Sequence, residues 1–350
     1  MTHTLAVRLD NAGDVLLAGP AVRALARGSD RVSLLAGPHG AAAGRLLPGV
    51  DEVLQWRCPW IDPAPDPVER GDVEQLVERL AMLRVDRAVV LTSFHQSPLP
   101  VALLLRMAGV AWVGAISEDY PGSLLDLRHR VDEALPEPER ALSLALAAGY
   151  ELPEHDDGAL AVRRPLPDVT GLLPDEPFVV VHPGTSVPAR AWPEGHHAEA
   201  VRQLVAEGHR VVVTGAPSER ELTARVTGDS GATDLGGRTS LAELAAVLDA
   251  ARAVVVGNTG PAHLAAAVGT PVVSLFAPTV PATRWAPYRV PRVLLGDQQA
   301  VCRDTRVTRC PYPGHPCLST VRPEEVVGAV QRLCGQTVHP RPAIRHGRHP

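Results

Sequence analysis

The run GRTSLAELAAVLDAARAVVVGNTGPAHLAAAVGTPVVSLFAPT, residues 237–279, switches between two periods. Its apolar residues follow helical spacing over 241–250 and 260–268, and they form short continuous runs over 253–257 and 271–276. Short apolar runs separated by helical stretches, with no hairpin turn between them, are parallel strands joined by crossover helices. The expected fold class is α/β with doubly wound parallel sheets. The longest apolar stretch, 264–280, is broken by Gly269, Pro271 and Pro278, so it reads as helix end, turn and strand rather than a membrane span.

The alternation continues outward. Strands are expected at 178–182 and 210–214, with helices at 194–207 and 218–227 and a last helix at 323–334. The first half repeats the pattern with strands at 4–9, 31–36, 52–55 and 87–92. A polar turn follows at 10–14, a helical stretch at 15–27 is interrupted by Pro20, and another helix is expected at 73–83. Residues 56–67 are proline-rich and read as loop. Between the halves lies a soft middle, 136–175, with a helix at 137–148 and then a polar, proline-dotted run. The expected organisation is a Rossmann-like domain over 1–170, a second over 171–338, and a disordered Pro/His/Arg tail over 339–350. Two such domains imply a cleft, with the carboxyl edge of each sheet turned towards it.

A chain of 350 residues accommodates two domains. Hydrophobic residues make up 45% and aromatic ones only 3%, so the cores must be aliphatic. A net charge of −5 offers no basic face for nucleic acid. There is no lysine, so all 34 fixed cations are arginines, and any phosphate clamp must use arginine or backbone N–H groups. The opening MTHTLAVRLDNAGD lacks the basic and apolar regions of an export signal. The expectation is a cytoplasmic protein without a transmembrane segment. Five cysteines in so long a chain do not make a disulfide scaffold.

Four segments carry candidate chemistry. In NAGDVLLAGPAVRAL, residues 11–25, Asp14 stands where a helix begins. It is either a helix cap or a carboxylate able to act as general base on a hydroxyl nucleophile. In HPGTSVPARAWP, residues 182–193, a strand runs into a polar loop at the edge where α/β folds bind ligands. Thr185 and Ser186 can donate to phosphate oxygens and Arg190 can pair with a diphosphate, unless this is an ordinary βα loop. In GNTGPAHLAAAVGTP, residues 257–271, a strand ends at the start of a helix, a ready anion site. Thr259, Gly260 and His263 lie there, and Asn258 is either a contact or the N-cap. Finally, Cys302, Cys310, Cys317 and His315 place four soft ligands within sixteen residues. The spacing lacks the tight Cys-x-x-Cys knuckle, so a loop of partly buried thiols is expected and no metal. No G-x-G-x-x-G follows the first strand, and no P-loop or G-x-S-x-G motif occurs, which disfavours dehydrogenases, P-loop NTPases and serine hydrolases.

Taken together, these segments resemble the heptosyltransferases, family 9 of the glycosyltransferases. NAGDVLLAGPAVRAL is similar to the family's Gly-Asp opening, HPGTSVPARAWP to its loop before a Lys-x-Trp-Pro stretch, residues 237–279 to its long carboxyl-terminal signature, and the Cys302–Cys310–Cys317 segment with CLSTVRPEEVVGAV to its last loop and helix. The resemblance implies a GT-B architecture, acceptor binding in the first domain and donor binding in the second. It also implies an inverting transfer without metal or cofactor. It assigns the base to Asp14, the phosphate loop to Thr185, Ser186 and Arg190, and further donor contacts to Asn258, Thr259, Gly260 and His263. Glu219 is a candidate contact to the donor ribose. Two positions depart from the pattern: Arg190 stands where lysine is usual and Asn258 where aspartate is common.

The expected function is transfer of a sugar, heptose on the family pattern, from ADP-heptose to a glycan, lipopolysaccharide-like or small-molecule acceptor, at the inner membrane surface in the lipopolysaccharide case. One rival is another nucleotide-sugar enzyme of the same architecture, an epimerase, with Glu118, Asp119 or Glu219 as its further acids. Another is a family member that binds nucleotide-sugar without turnover. A two-lobed solute-binding protein is disfavoured because no export signal is present.

Overall fold

The computed structural model describes residues 2–131 and 134–335; the tail expected at 339–350 lies outside them. The chain divides into two compact units, Met1–Arg163 and Arg164–Pro350. Residues 151–163 of the soft middle pack on the first unit. Arg23 Nε donates to Asp156 Oδ2 at 2.6 Å with both side chains buried, and Arg163 donates to the carbonyls of Leu47 and Val50.

The first unit holds six parallel strands, β1 (His3–Arg8), β2 (Arg31–Ala36), β3 (Glu52–Gln55), β4 (Arg87–Val90), β5 (Trp112–Ile116) and β6 (Leu127–His129). Their order is β3-β2-β1-β4-β5-β6. Its helices are α1 (Ala12–Leu17), α2 (Gly19–Arg27), α3 (Ala41–Leu46), α4 (Arg70–Met82), α5 (Leu99–Met107) and α6 (Glu137–Ala147). The second unit repeats the plan with β7 (Phe178–His182), β8 (Arg210–Val213), β9 (Thr233–Asp234), β10 (Val254–Gly257), β11 (Val272–Leu275) and β12 (Arg292–Leu295), ordered β12-β11-β10-β7-β8-β9 and parallel throughout. Its helices are α7 (Glu194–Ala206), α8 (Arg220–Thr227), α9 (Leu241–Ala250), α10 (Gly260–Val268), α11 (Ala282–Trp285), α12 (Pro316–Ser319) and α13 (Pro323–Cys334).

The valine runs of β7, β8 and β10 are buried on both faces, as a parallel sheet covered by helices requires. The cores are aliphatic: Val181, Leu204, Val255 and Leu275 pack together in the second unit, and Leu5, Val7, Leu105 and Val113 in the first. Local chemistry sets the helix ends. Ser240 Oγ accepts the Glu243 N–H at 3.2 Å while Glu243 Oε2 accepts the Ser240 N–H at 2.7 Å, a capping box that starts α9. Gly269, at φ 90°, closes α10 in the left-handed region.

Several expectations shift. The single helix at 15–27 is two helices meeting at Ala18, with Pro20 in the first turn of α2. The polar turn ends early, because α1 already begins at Ala12 and includes Asp14. Elements α3, α5, α11, α12, β5, β6, β9 and β12 were not anticipated. The strands β6 and β9 have three and two residues, too few to show a period. Helix α5 carries a proline in its first turn and a nearly continuous apolar run, so it shows no stripe.

In both sheets the chain reverses its strand order beside the first strand: between β1 and β4, and between β7 and β10. Such switch points open a crevice at the carboxyl ends of the two strands, where ligands bind. Asp14 follows β1, Thr185 to Arg190 follow β7, and Asn258 to His263 follow β10.

Candidate functional site

In the second unit, β7 runs into residues 183–187 and a short turn, Pro188–Arg190. The β10 loop lies against that turn, because a Cβ on Gly257 would stand only 3.3 Å from the Arg190 carbonyl oxygen. Arg190 Nη1 donates to the Asn258 carbonyl at 3.3 Å, which puts the guanidinium beside the start of α10. Thr259 is the N-cap of α10, extended at φ −144°, and its side chain makes no capping bond. Gly260 follows, and His263 is buried in the first turn. The positive end of the α10 dipole and an arginine therefore converge. Thr185 and Ser186 sit on the same β7 loop, with Thr185 Oγ1 accepting the Val187 N–H at 3.3 Å.

Asn258 is not the cap. Its Nδ2 donates to the Ala277 carbonyl and its Oδ1 accepts the Ala277 N–H, both at 3.2 Å, and the residue is buried. This amide-to-backbone pair ties the β10 loop to the end of β11. An aspartate could accept but not donate, so the departure from the family pattern corresponds to a structural bond.

Glu219 is brought to the β7 loop from 35 residues away. Its Oε2 accepts the Ala216 N–H at 2.7 Å and lies 3.9 Å from His182 Nε2. A Cβ on Gly184 would fall 2.1 Å from the Glu219 carboxylate, so only glycine leaves it room. His182 is buried at the end of β7, with Nδ1 2.9 Å from Thr214 Oγ1. Burial holds its imidazole below the ordinary range, against the pull of Glu219. His197, edge-on to Trp192 with ring centroids 4.7 Å apart, is pushed down to about 3 by burial and by His182 and His196.

In the first unit, Asp14 occupies the third position of α1, and the N-cap is Asn11. Its carboxylate meets Arg8, the last residue of β1, with Nη2 to Oδ1 at 3.3 Å. The Arg8 side chain is 2% exposed and also pairs with Asp10 at 2.9 Å and with Glu137 at 3.8 Å. It donates to Ser93 Oγ at 2.8 Å and to the Leu91 carbonyl at 3.2 Å, both beyond the end of β4. Burial alone would lower the Arg8 pKa, but Asp10, Asp14 and Glu137 outweigh it and raise it. Asp14 is the most accessible of the three carboxylates, at 22% against 10% for Asp10 and 2% for Glu137. Arg8, Asp10 and Glu137 were missed from sequence. The signal for Arg8 was a charge inside an apolar strand.

Glu118 and Asp119 lie exposed in the loop after β5, with Asp119 accepting from Ser97 Oγ at 3.2 Å. Cys302 and Cys317 are buried and Cys310 is half-buried. Burial, with Cys302 and Cys310 nearby, pushes the Cys317 thiol up to about 12. His315 turns instead to the Ala189 carbonyl, at 3.0 Å from Nε2. Among the described residues, no three His, Cys, Asp or Glu side chains form a group able to hold a metal. Likewise, no described helix is long and apolar enough to cross a membrane.

Comparison with known proteins follows the same lines. The profile of glycosyltransferase family 9 (heptosyltransferase) matches residues 74–315. Lipopolysaccharide heptosyltransferase 2 of Escherichia coli K12 is 29% identical over 245 residues, 61% of this chain and 66% of that protein. Lipopolysaccharide heptosyltransferase 1 of Pseudomonas aeruginosa is 34% identical over 185 residues, 52% of this chain and 47% of that protein. The chain thus spans just under two thirds of the first relative and about half of the second. The solved structure of E. coli ADP-heptose lipopolysaccharide heptosyltransferase II superposes with a TM-score of 0.72 at 22% identity, covering 95% of this chain and 98% of that one, and shares its fold. With two parallel six-stranded α/β units of the GT-B class and a family match across most of its length, the chain belongs to glycosyltransferase family 9, the heptosyltransferases.

Proposed function

We propose that the protein transfers heptose from ADP-heptose to a hydroxyl of a glycan or lipopolysaccharide acceptor, with inversion at the anomeric carbon. The observation that carries this reading is the Arg190 bond to the Asn258 carbonyl, which joins a fixed cation to the α10 N-terminus and the Thr185 and Ser186 loop. That combination suits a departing nucleoside diphosphate. The second unit, 164–335 as described, is the donor side, and the first is the acceptor side. Asp14 takes the proton of the acceptor hydroxyl as its oxygen attacks the anomeric carbon. The bond from that carbon to the diphosphate breaks, and ADP departs with the electron pair. Arg190 and the α10 dipole neutralise the developing charge. Glu219 receives the donor ribose hydroxyls. The enzyme works in the cytoplasm at the membrane surface that carries its acceptor.

The test is incubation of the purified chain with ADP-heptose and a heptose-free core acceptor, with products read by mass spectrometry. One heptose added per ADP released, with the rate retained in excess EDTA, is the expected result. Release of a free epimerised sugar, or ADP-heptose binding without turnover, would establish one of the rival activities instead. A second expectation concerns Gly184→Ala. The added methyl displaces the Glu219 carboxylate, the far end of a flexible side chain, at the cost of its bond from the Ala216 N–H, so melting should fall only slightly. ADP affinity should fall by roughly tenfold, the value of a lost charged hydrogen bond. Calorimetry showing unchanged ADP affinity would remove Glu219 from the donor site.

A further inference from the structure

The segment between β12 and α12 is absorbed by neither the sheet nor the donor site as described above. It runs across the carboxyl edge of the second sheet and bonds to two of its loops. The Asp304 N–H donates to the Pro278 carbonyl and the Arg306 N–H to the Thr279 carbonyl, each at 2.9 Å. Further along, the Thr308 carbonyl accepts the Ala189 N–H at 3.0 Å, and His315 Nε2 donates to the Ala189 carbonyl at 3.0 Å. Both backbone groups of Ala189 are thus taken by this one segment. Ala189 is 1% exposed and is the middle residue of the turn that ends in Arg190. The segment is anchored beneath by the buried Cys302 and Cys317, and the Asp297 N–H donates to the Cys317 carbonyl at 2.9 Å.

Its backbone carries three non-glycine residues in the left-handed region, Asp304 at φ 61°, Arg306 at 58° and His315 at 52°. Such conformations are costly and persist only where surrounding contacts over-determine them. Here the contacts that fix them are the bonds to 278, 279 and 189.

We infer that residues 302–317 form a strap that sets the position of Arg190, and that His315 is a positioning residue acting through Ala189. The inference rests on the proposed role of Arg190 at the donor diphosphate. A guanidinium on an unclamped turn would sample several places, and binding would have to order it at a cost in affinity. His315 touches no donor atom in this account.

The experiment is calorimetry of ADP binding on the full chain, with His315→Asn, His315→Gln, Arg190→Ala and the double variant Arg190→Ala/His315→Asn. Asparagine, like histidine, tolerates the left-handed backbone but is too short to reach Ala189. His315→Asn should melt modestly below wild type, as the buried Ala189 carbonyl loses its donor, yet stay folded and bind ADP roughly three- to tenfold more weakly, the span of one hydrogen bond. His315→Gln restores a side-chain N–H at longer reach and should recover most of the affinity. In the Arg190→Ala background, His315→Asn should change nothing further, because its effect passes through Arg190. Hydrogen exchange at the Ala189 amide should speed up in His315→Asn and not in His315→Gln. Effects that multiply across the two positions, or full ADP affinity in His315→Asn, overturn the inference while leaving the donor site standing. Wild-type protein that does not bind ADP overturns the proposed function and this inference with it.

Discussion

Asp14→Asn is expected to fold like the wild type, bind ADP like the wild type, and turn over at least about a hundredfold more slowly. Removing a general base from a hydroxyl attack costs typically two to four orders of magnitude, whereas the structural duties of Asp14 survive the change. Asparagine Oδ1 can still accept from Arg8 Nη2, the bond that Asp14 makes at 3.3 Å. Capping is not at issue, since Asn11 holds the N-cap position. The substitution even removes one of three negative charges around a single guanidinium, so stability should hold or rise slightly. ADP binding tests the second unit separately, because Arg190, Thr259 and Glu219 all belong to it. Turnover near the wild-type rate on a competent acceptor would show that Asp14 has a structural role and that the base lies elsewhere.

What sequence could show depended on how far apart the cooperating residues lie. The α10 site was legible because strand, loop and helix start fall in one short string ending at His263. The β7 loop was legible for the same reason. That the two loops touch was not, since it depends on Gly257 leaving room for the Arg190 carbonyl across 67 residues. The case of Glu219 is intermediate: it could be guessed as a polar residue after a strand, but its seat against Gly184 needed the fold. The cap reading of Asn258 gives way to Thr259, and the Asn258 bond to the Ala277 backbone could not be read because that partner has no side-chain signature. The polar run of the soft middle gives no sign that Asp156 is buried in an ion pair with Arg23. Composition registers the charge but not the partner 133 residues away.

The Arg8 cluster is the clearest instance of chemistry assembled only in three dimensions, and its removal should have the largest effect on stability. Arg8 closes β1, while Glu137 opens α6 far along the chain. Asp10 in turn accepts from Gln96 Nε2 at 2.5 Å, so the cluster reaches the loop after β4 as well. Arg8→Met keeps the length and the aliphatic stem but deletes the guanidinium. Asp10, Asp14 and Glu137 then lose their shared cation, and Glu137, at 2% exposure, has little access to water. Breaking a buried pair from one side costs up to about 3–5 kcal/mol, because the remaining charge stays buried with one cation fewer to balance it. Against a typical total of about 5–15 kcal/mol, that is a large part of the stability of the first unit. Chemical denaturation should show an early transition carrying the first unit, with the second unit little affected. Arg8→Lys should fall between, since a point charge replaces the fork that reaches Asp10 and Asp14 from different nitrogens. Adding Glu137→Gln to Arg8→Met should recover part of the loss, because it removes the most deeply buried of the three carboxylate charges. A variant Arg8→Met as stable as the wild type would mean that water or rearrangement satisfies these carboxylates, and that Arg8 does not organise this end of the sheet.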